Sequence, residues 1–358
     1  MALIQLETDR LRNLVSGRFE PGPSINLLVG PNASGKSSLL EGICLLGRGR
    51  SFRTRQTLAM IQRGASAVTV SGWVEAEEGQ RVQLGLKLGR GQRDLRVNGR
   101  PATSSLDFIR HFPLLVIQPS GVALLEGPPQ LRRHFLDFGV FHQDPAFLSY
   151  WRRYGRALQQ RNSLIRGGRR RELGPWTQDI SSCGIMLHSA REAYLEALAP
   201  HFGETVTRFF PGRRWQLDLL PGWDKEQPLG VALEAAVEGD LRMGYTQLGP
   251  HRADFTIRLD GRPVREYLSR GQMKLLVYAL LLAQSRLMET QRAVPGCVLI
   301  DDVASELDAA NRQRLISALM DRASQFFITA TALEAGLEPV ASSTRVYELS
   351  EGRVARIR

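Results

Sequence analysis

Lysine is nearly absent from this sequence: 4 residues in 358, against 43 arginines. Where positive charge alone would serve, the chain uses arginine, so a lysine marks a need for a compact ammonium. Cysteine is scarce too. Cys44, Cys183 and Cys297 lie far apart and form no C-x-x-C pair. That argues against a disulfide framework or a zinc ribbon and fits a reducing, cytoplasmic setting. The six histidines have no metal-ligand spacing. Long apolar runs are missing: the longest, Leu275 to Ala283, is bounded by Lys274 and Gln284 and is too short to span a bilayer. The N-terminus carries Glu7 and Asp9 and no apolar signal core. There is no internal repeat and no low-complexity segment. Acid is in deficit as well, 36 acidic against 47 basic residues, for a net charge of +11. That balance favours a polyanionic partner, nucleic acid ahead of membrane. Hydrophobic content of 43% is ample for a packed core, and the length suggests two lobes.

One of the four lysines stands in Gly30-Pro31-Asn32-Ala33-Ser34-Gly35-Lys36-Ser37, the spacing of a P-loop. Before it runs Ile25-Asn26-Leu27-Leu28-Val29, of strand length. After it, Ser38 to Leu46 reads as a buried helix. Strand, glycine-rich turn and helix together make a phosphate cradle: glycines let backbone N–H groups curl toward oxygens, and the helix start adds positive charge. The spacing predicts Lys36 on the β- and γ-phosphates and the Ser37 hydroxyl on Mg²⁺.

Along the chain, residues 2–14 read as an edge strand leading to the P-loop strand. Gly47 to Arg55 carries four arginines and no acid, a phosphate-contacting or solvated loop. Residues 67–97 read as β, closed by the Asn98-Gly99 turn; residues 48–110 hold 12 basic and 5 acidic side chains. Leu114 to Gln118 reads as a buried strand. Helices are expected over 129–141, 145–166, 175–209 and 228–242. This helical insert is bipolar: 10 basic and 3 acidic side chains over 126–171, then 6 and 11 over 172–243. A strand at 253–259 ends at Asp260-Gly261. Helix and strand then alternate at 268–289, 297–301, 308–322 and 325–330, before a hairpin over 345–357 turning at Glu351-Gly352. Alternation argues a mostly parallel sheet with helices on its faces.

A P-loop needs an acid on a neighbouring strand to hold Mg²⁺. Cys297-Val298-Leu299-Ile300-Asp301-Asp302 supplies it, with Asp301 toward the metal and Asp302 placed as general base for water. Leu268-Ser269-Arg270-Gly271-Gln272 opens a strong helix, and a helix start is an anion site. The chain's own P-loop already holds the phosphates, so this site is expected to serve the nucleotide of another subunit.

Together, Gly30–Ser37, Leu268–Gln272, Leu299–Asp302 and Ser305-Glu306-Leu307-Asp308 resemble the Walker A, signature, Walker B and D-loop of ABC-type ATPases. Within them the chain resembles the RecF family of bacterial recombination-repair and replication proteins. The matches are Phe19 to Gly47, Arg132 to Asp137, Gly249 to Asp254, Leu268 to Leu276 and Leu299 to Asp308. The resemblance implies an α/β fold: an ABC-type P-loop ATPase lobe with a β subdomain and a helical insertion lobe. On that basis 1–125 and 244–358 form the ATPase lobe and 126–243 the insertion. It implies a weak DNA-dependent ATPase that uses ATP and Mg²⁺ and dimerises around two nucleotides, held by Ser269, Gly271 and Gln272 across the interface. It places Gln118 as a further Mg²⁺ contact and Arg12 and Asn13 near the nucleotide. It also implies binding of single-stranded and gapped DNA, partnership with RecO and RecR in loading recombinase, and support of the SOS response. Two departures bear on hydrolysis. Asp302 stands where ABC ATPases usually carry Glu, and Phe327 to Thr331 contains no switch His. Three other classes fit less well. A transporter motor would not need 265 residues between Lys36 and Asp301 (301 minus 36). An SMC-type condensing protein would carry sustained heptads, which the insert lacks. A small-molecule kinase has no use for the signature stretch.

Overall fold

A computed structural model describes residues 1–75, 79–292, 296–303, 307–320, 322–332 and 344–358. The chain forms two compact units, Met1–Gly121 with Lys274–Arg358, and Val122–Met273.

The first unit opens with β1 (Ala2–Asp9), β2 (Gly17–Phe19) and β3 (Ile25–Val29). The P-loop and α1 (Lys36–Arg48) follow, and Gly49 closes the helix with a left-handed φ of 61°. Next come β4 (Ala67–Glu75), β5 (Arg81–Gly89), β6 (Gln92–Val97) and β7 (Arg100–Pro101). Helix α2 (Ser105–His111), started by a Ser104/Asp107 capping box, leads to β8 (Leu114–Ile117). Strands β2-β1-β4-β5-β6-β7 make an antiparallel sheet. Its strands alternate buried and open, as one-faced sheets do. The buried side chains Val68, Val70, Val74, Leu84 and Leu86 share one core with Leu39, Leu40 and Ile43 of α1. The first strand is therefore not an edge strand. It ends at Asp9 and lies inside this antiparallel sheet between β2 and β4, because its alternation suits a half-buried antiparallel partner.

The second unit holds α3 (Ala123–Glu126), α4 (Pro129–Gln143), α5 (Phe147–Arg166) and α6 (Leu173–Phe209). Then come β9 (Trp215–Leu220), α7 (Leu229–Ala235), α8 (Val237–Met243), β10 (Asp254–Leu259) and β11 (Arg262–Pro263). Strand β9 was not foreseen. It pairs antiparallel with β10, from Leu220 opposite Asp254 to Trp215 opposite Leu259, which ties residues beyond 243 into this unit. The helix expected over 228–242 is two short ones, meeting at Ala236. Buried ion pairs fix the interior. Arg161 Nη1 donates to Asp240 at 2.6 Å with both side chains fully buried, Arg132 Nε to Asp254 at 2.6 Å, and Arg191 Nε to Asp137 at 2.8 Å. His251 Nε2 lies 3.0 Å from the Thr246 carbonyl, which can only accept. Nδ1 is thus the acceptor for the Tyr154 hydroxyl at 2.6 Å. Burial pulls His251 down to about 4, so the ring is neutral, and pushes the Tyr154 phenol up.

Helix α9 (Arg270–Arg292) starts in the second unit and returns the chain to the first. There follow β12 (Cys297–Ile300), α10 (Ala309–Met320), β13 (Gln325–Ala330), β14 (Arg345–Ser350) and β15 (Arg353–Arg356). The sheet order is β15-β14-β3-β13-β12-β8, parallel except for β15. Strands β3, β12 and β13 are buried throughout, as parallel strands covered on both faces are. The three turn dipeptides close as the sequence requires. Asn98, Asp260 and Glu351 take φ near 48°, and Gly99, Gly261 and Gly352 follow with positive φ. Among the described residues, no helix is long and apolar enough to cross a membrane.

Candidate functional site

The parallel sheet places the P-loop and the two aspartates at the same end of two of its strands. The P-loop leaves the C-terminal end of β3, and Asp301-Asp302 leave that of β12. These strands are not neighbours, because β13 lies between them. A buried polar residue near the C-terminal end of β13, Thr329, bridges the gap. Its Oγ1 donates to Asp301 Oδ1 at 2.8 Å and accepts the Asp302 N–H at 2.7 Å. The second bond holds Asp302 at φ 56°, a left-handed conformation that Asp tolerates better than most residues. Sequence reasoning missed Thr329; a buried hydroxyl within Gln-Phe-Phe-Ile-Thr-Ala was its only signal.

The P-loop itself is tightly packed. A Cβ on Gly30 would lie 2.2 Å from the Leu349 carbonyl, so only glycine fits there. Gly35 stands at φ 112° before α1, and Ala33 at φ 65°. The first turn of α1 carries no acid, which leaves its N-terminus for an anion. Lys36 is nearly buried, and its Nζ donates to the carbonyls of Gly30 at 2.6 Å and Pro31 at 2.8 Å. Burial lowers its pKa, while Asp302 and Asp301 draw it back up. The Ser34 hydroxyl is buried in the loop without a hydrogen-bond partner. Ser37 Oγ donates to Asp301 Oδ1 at 3.0 Å. A hydroxyl and a carboxylate oxygen side by side are hard donors of the kind Mg²⁺ takes, so these residues fit the expected ion.

Around the loop lies a pocket of about 700 Å³, lined by residues of the first unit only. Asn32, Ala33, Gly35, Lys36, Ser37, Asp301, Asp302 and Thr329 face it, as do Arg12, Asn13, Arg53, Ile61 and Pro119. Asn13 is tied to the loop: its Nδ2 donates to the Ala33 carbonyl at 2.9 Å, and its Oδ1 accepts from Ser38 Oγ at 2.8 Å. The hydrogen bonds from Arg12 to buried Glu41 raise the pKa of the guanidinium. Gln118 lies just past β8, next to Ile117, whose carbonyl accepts the Asp301 N–H at 2.9 Å. The pocket lining includes Pro119 and not Gln118.

Ser269, Gly271 and Gln272 belong to the second unit, at the start of α9, and are solvent-exposed. Ser269 Oγ accepts the Gln272 N–H at 3.3 Å, and Gln272 Oε1 accepts the Ser269 N–H at 3.0 Å. This is a reciprocal helix cap. A Cβ on Gly271 would meet nothing within 4 Å. Of the expected D-loop, Ser305 and Glu306 lie outside the described residues. Leu307 is buried, and Asp308 caps α10 by accepting the Asn311 N–H at 2.8 Å.

Residues 2–353 match the RecF/RecN/SMC N terminal domain family. The chain is 39% identical over 361 aligned residues to the DNA replication and repair protein RecF of Pseudomonas fluorescens (strain Pf0-1), covering 99% of this chain and 98% of that protein. A solved structure of the recombination mediator protein RecF with ATP, in the RecFOR pathway, superposes with a TM-score of 0.86 at 26% identity, covering 99% of this chain and 97% of that one. An Smc head bound to the C-terminal winged-helix domain of ScpA shares the fold, with a TM-score of 0.62 at 16% identity over 99% and 96% of the two chains.

Proposed function

The chain belongs to the RecF family of DNA replication and repair proteins, and from that premise we propose that it is an ATP-dependent DNA-binding ATPase that dimerises around nucleotide. The observation that carries the reading is the join between two distant segments. Ser37 of the P-loop meets Asp301, 3.0 Å away, in the wall of the pocket around the loop.

In this reading the N–H groups of Gly30 to Ser37 and the start of α1 bind the phosphates. Lys36 moves its ammonium from the two loop carbonyls to the β- and γ-phosphate oxygens. Ser37 and Asp301 would hold Mg²⁺, with Gln118 as a further ligand, and the ion would supply charge neutralisation for the phosphates. Asp302 orients the attacking water and takes its proton. Arg12 and Asn13 hold the nucleotide beside the loop. Ser269, Gly271 and Gln272 of a second protomer close the site from the far side of the γ-phosphate, with a two-fold axis relating two such sites. Closure favours a DNA-bound dimer, because ATP contacts more groups there. Hydrolysis at Asp302 opens it.

The net charge of +11 supports DNA, single-stranded or gapped, as the polyanion bound. The RecFOR pathway of the solved relative supports RecR and RecO as partners, with recombinase loading at gaps and SOS support as the outcome. We place the protein in the cytoplasm, a setting in which three free, buried cysteines would stay reduced. The test is ATP hydrolysis by the purified chain with and without gapped duplex, at varied Mg²⁺. A slow, Mg²⁺-dependent activity that DNA accelerates is expected. No ATP binding at millimolar Mg²⁺ would sink the reading.

A further inference from the structure

Glu41 is the only acid on α1 and is fully buried. A carboxylate taken out of water requires charge and donors in return. Arg12 supplies both, with Nε 2.7 Å from Oε2 and Nη2 2.9 Å from Oε1. The Ser51 hydroxyl donates to Oε1, and Arg53 Nη1 stands 3.8 Å from Oε2. Ser51 Oγ in turn accepts the N–H groups of Arg53 at 2.9 Å and Thr54 at 3.1 Å. One hydroxyl thus pins the turn that carries Arg53. Arg12 and Arg53 both line the nucleotide pocket, while Glu41 does not.

We propose that Glu41 is a positioning residue that orients Arg12 and, through Ser51, the Arg53 turn, so that two guanidinium groups face the anionic ligand beside Lys36. The inference rests on the ATP reading of that pocket. A bidentate carboxylate holds a guanidinium in one plane, so the cations meet the phosphates already oriented. The acid sits on the same helix as Lys36, which ties their placement to that of the P-loop. It also links the pocket to the arginine-rich segment 48–55.

A salt-resolved titration of the full chain with a fluorescent ATP analogue and Mg²⁺ tests this. The proteins are wild type, Glu41→Gln, Ser51→Ala, Arg12→Gln and the Glu41→Gln/Arg12→Gln double variant. Glu41→Gln should weaken ATP about tenfold and flatten the dependence of log Kd on log salt, because fewer ordered cations meet the phosphates. Ser51→Ala should weaken ATP about threefold. The double variant should bind no more weakly than Glu41→Gln alone. A merely structural Glu41 would lower Tm but leave the affinity and salt slope of folded protein unchanged. Wild-type affinity and slope in Glu41→Gln and Ser51→Ala would overturn the proposal, as would additive penalties in the double variant. If Glu41→Gln does not fold, Ser51→Ala decides alone. Failure of wild type itself to bind the analogue would instead bring down the ATP reading, and this proposal with it.

Discussion

Replacing Thr329 by valine removes one hydroxyl and keeps the shape of the side chain. The site is fully buried on β13, between the strands that carry the P-loop and the aspartates. Two hydrogen bonds disappear, one to Asp301 Oδ1 and one from the Asp302 N–H. An orphaned N–H costs up to about 1–3 kcal/mol, here moderated because the Asp302 N–H is only partly buried, and the added methyl returns up to about 0.8 kcal/mol. A net loss of about 1–2 kcal/mol is expected. In a unit of about two hundred residues that lowers Tm by about 2–8 °C. The larger effect should be on chemistry. Without its acceptor, the left-handed Asp302 backbone is free to relax and carry its carboxylate away from the water it orients. Steady-state hydrolysis at varied ATP and Mg²⁺ should show kcat down about tenfold, a raised Mg²⁺ requirement and nearly unchanged ATP affinity. Thr329→Ser keeps the hydroxyl and should recover most of both losses. Unchanged Tm, kcat and Mg²⁺ dependence in Thr329→Val would refute the reasoning.

Lys36→Ala should abolish ATP binding and ATP-driven association; a wild-type affinity by calorimetry would contradict the P-loop assignment. DNA affinity should fall steeply with salt, with a log–log slope of about −0.9 for each duplex phosphate contacted; a flat plot would assign the positive charge another role. His251 has a folded pKa of about 4 against an ordinary 6.5, so between those values the unfolded chain binds more protons. Its contribution is therefore complete above pH 6.5 and declines as pH falls to about 4, by about 3 kcal/mol. Denaturation from about pH 7 to 4 should show a shallower loss in His251→Gln than in wild type, and equal slopes would count against the buried neutral ring.

Much of this was legible because the chemistry is local. The P-loop lies in consecutive residues, the acid-ended apolar strand is its own signal, and three turns announce themselves as Asn98-Gly99, Asp260-Gly261 and Glu351-Gly352. Strand order is not local. Nothing in Ala2 to Asp9 says that it pairs with β4 rather than with β3, and Trp215 to Leu220, though it alternates apolar and polar, is a short run between long helical stretches. What was not legible at the site acts through space: Thr329 was missed, and Arg53 was read only as part of a phosphate-contacting or solvated loop. Thr329 matters because β13 falls between two other strands, and Arg53 because Glu41 and Ser51 draw its turn to the pocket.

The central claim is a nucleotide site shared between two protomers, and complementation tests it most directly. Lys36→Ala lacks its own nucleotide grip, and Ser269→Arg blocks the helix start offered to the partner. Each alone should fail to dimerise with ATP by light scattering and should be inactive. Mixed, they can form a heterodimer with one site broken twice and one site intact, made of Lys36 from the Ser269→Arg chain and Ser269 from the Lys36→Ala chain. The account predicts that ATP-dependent association and part of the ATPase activity return in the mixture. A mixture as inert as its parents, or a Ser269→Arg chain that dimerises and hydrolyses ATP by itself, would contradict it.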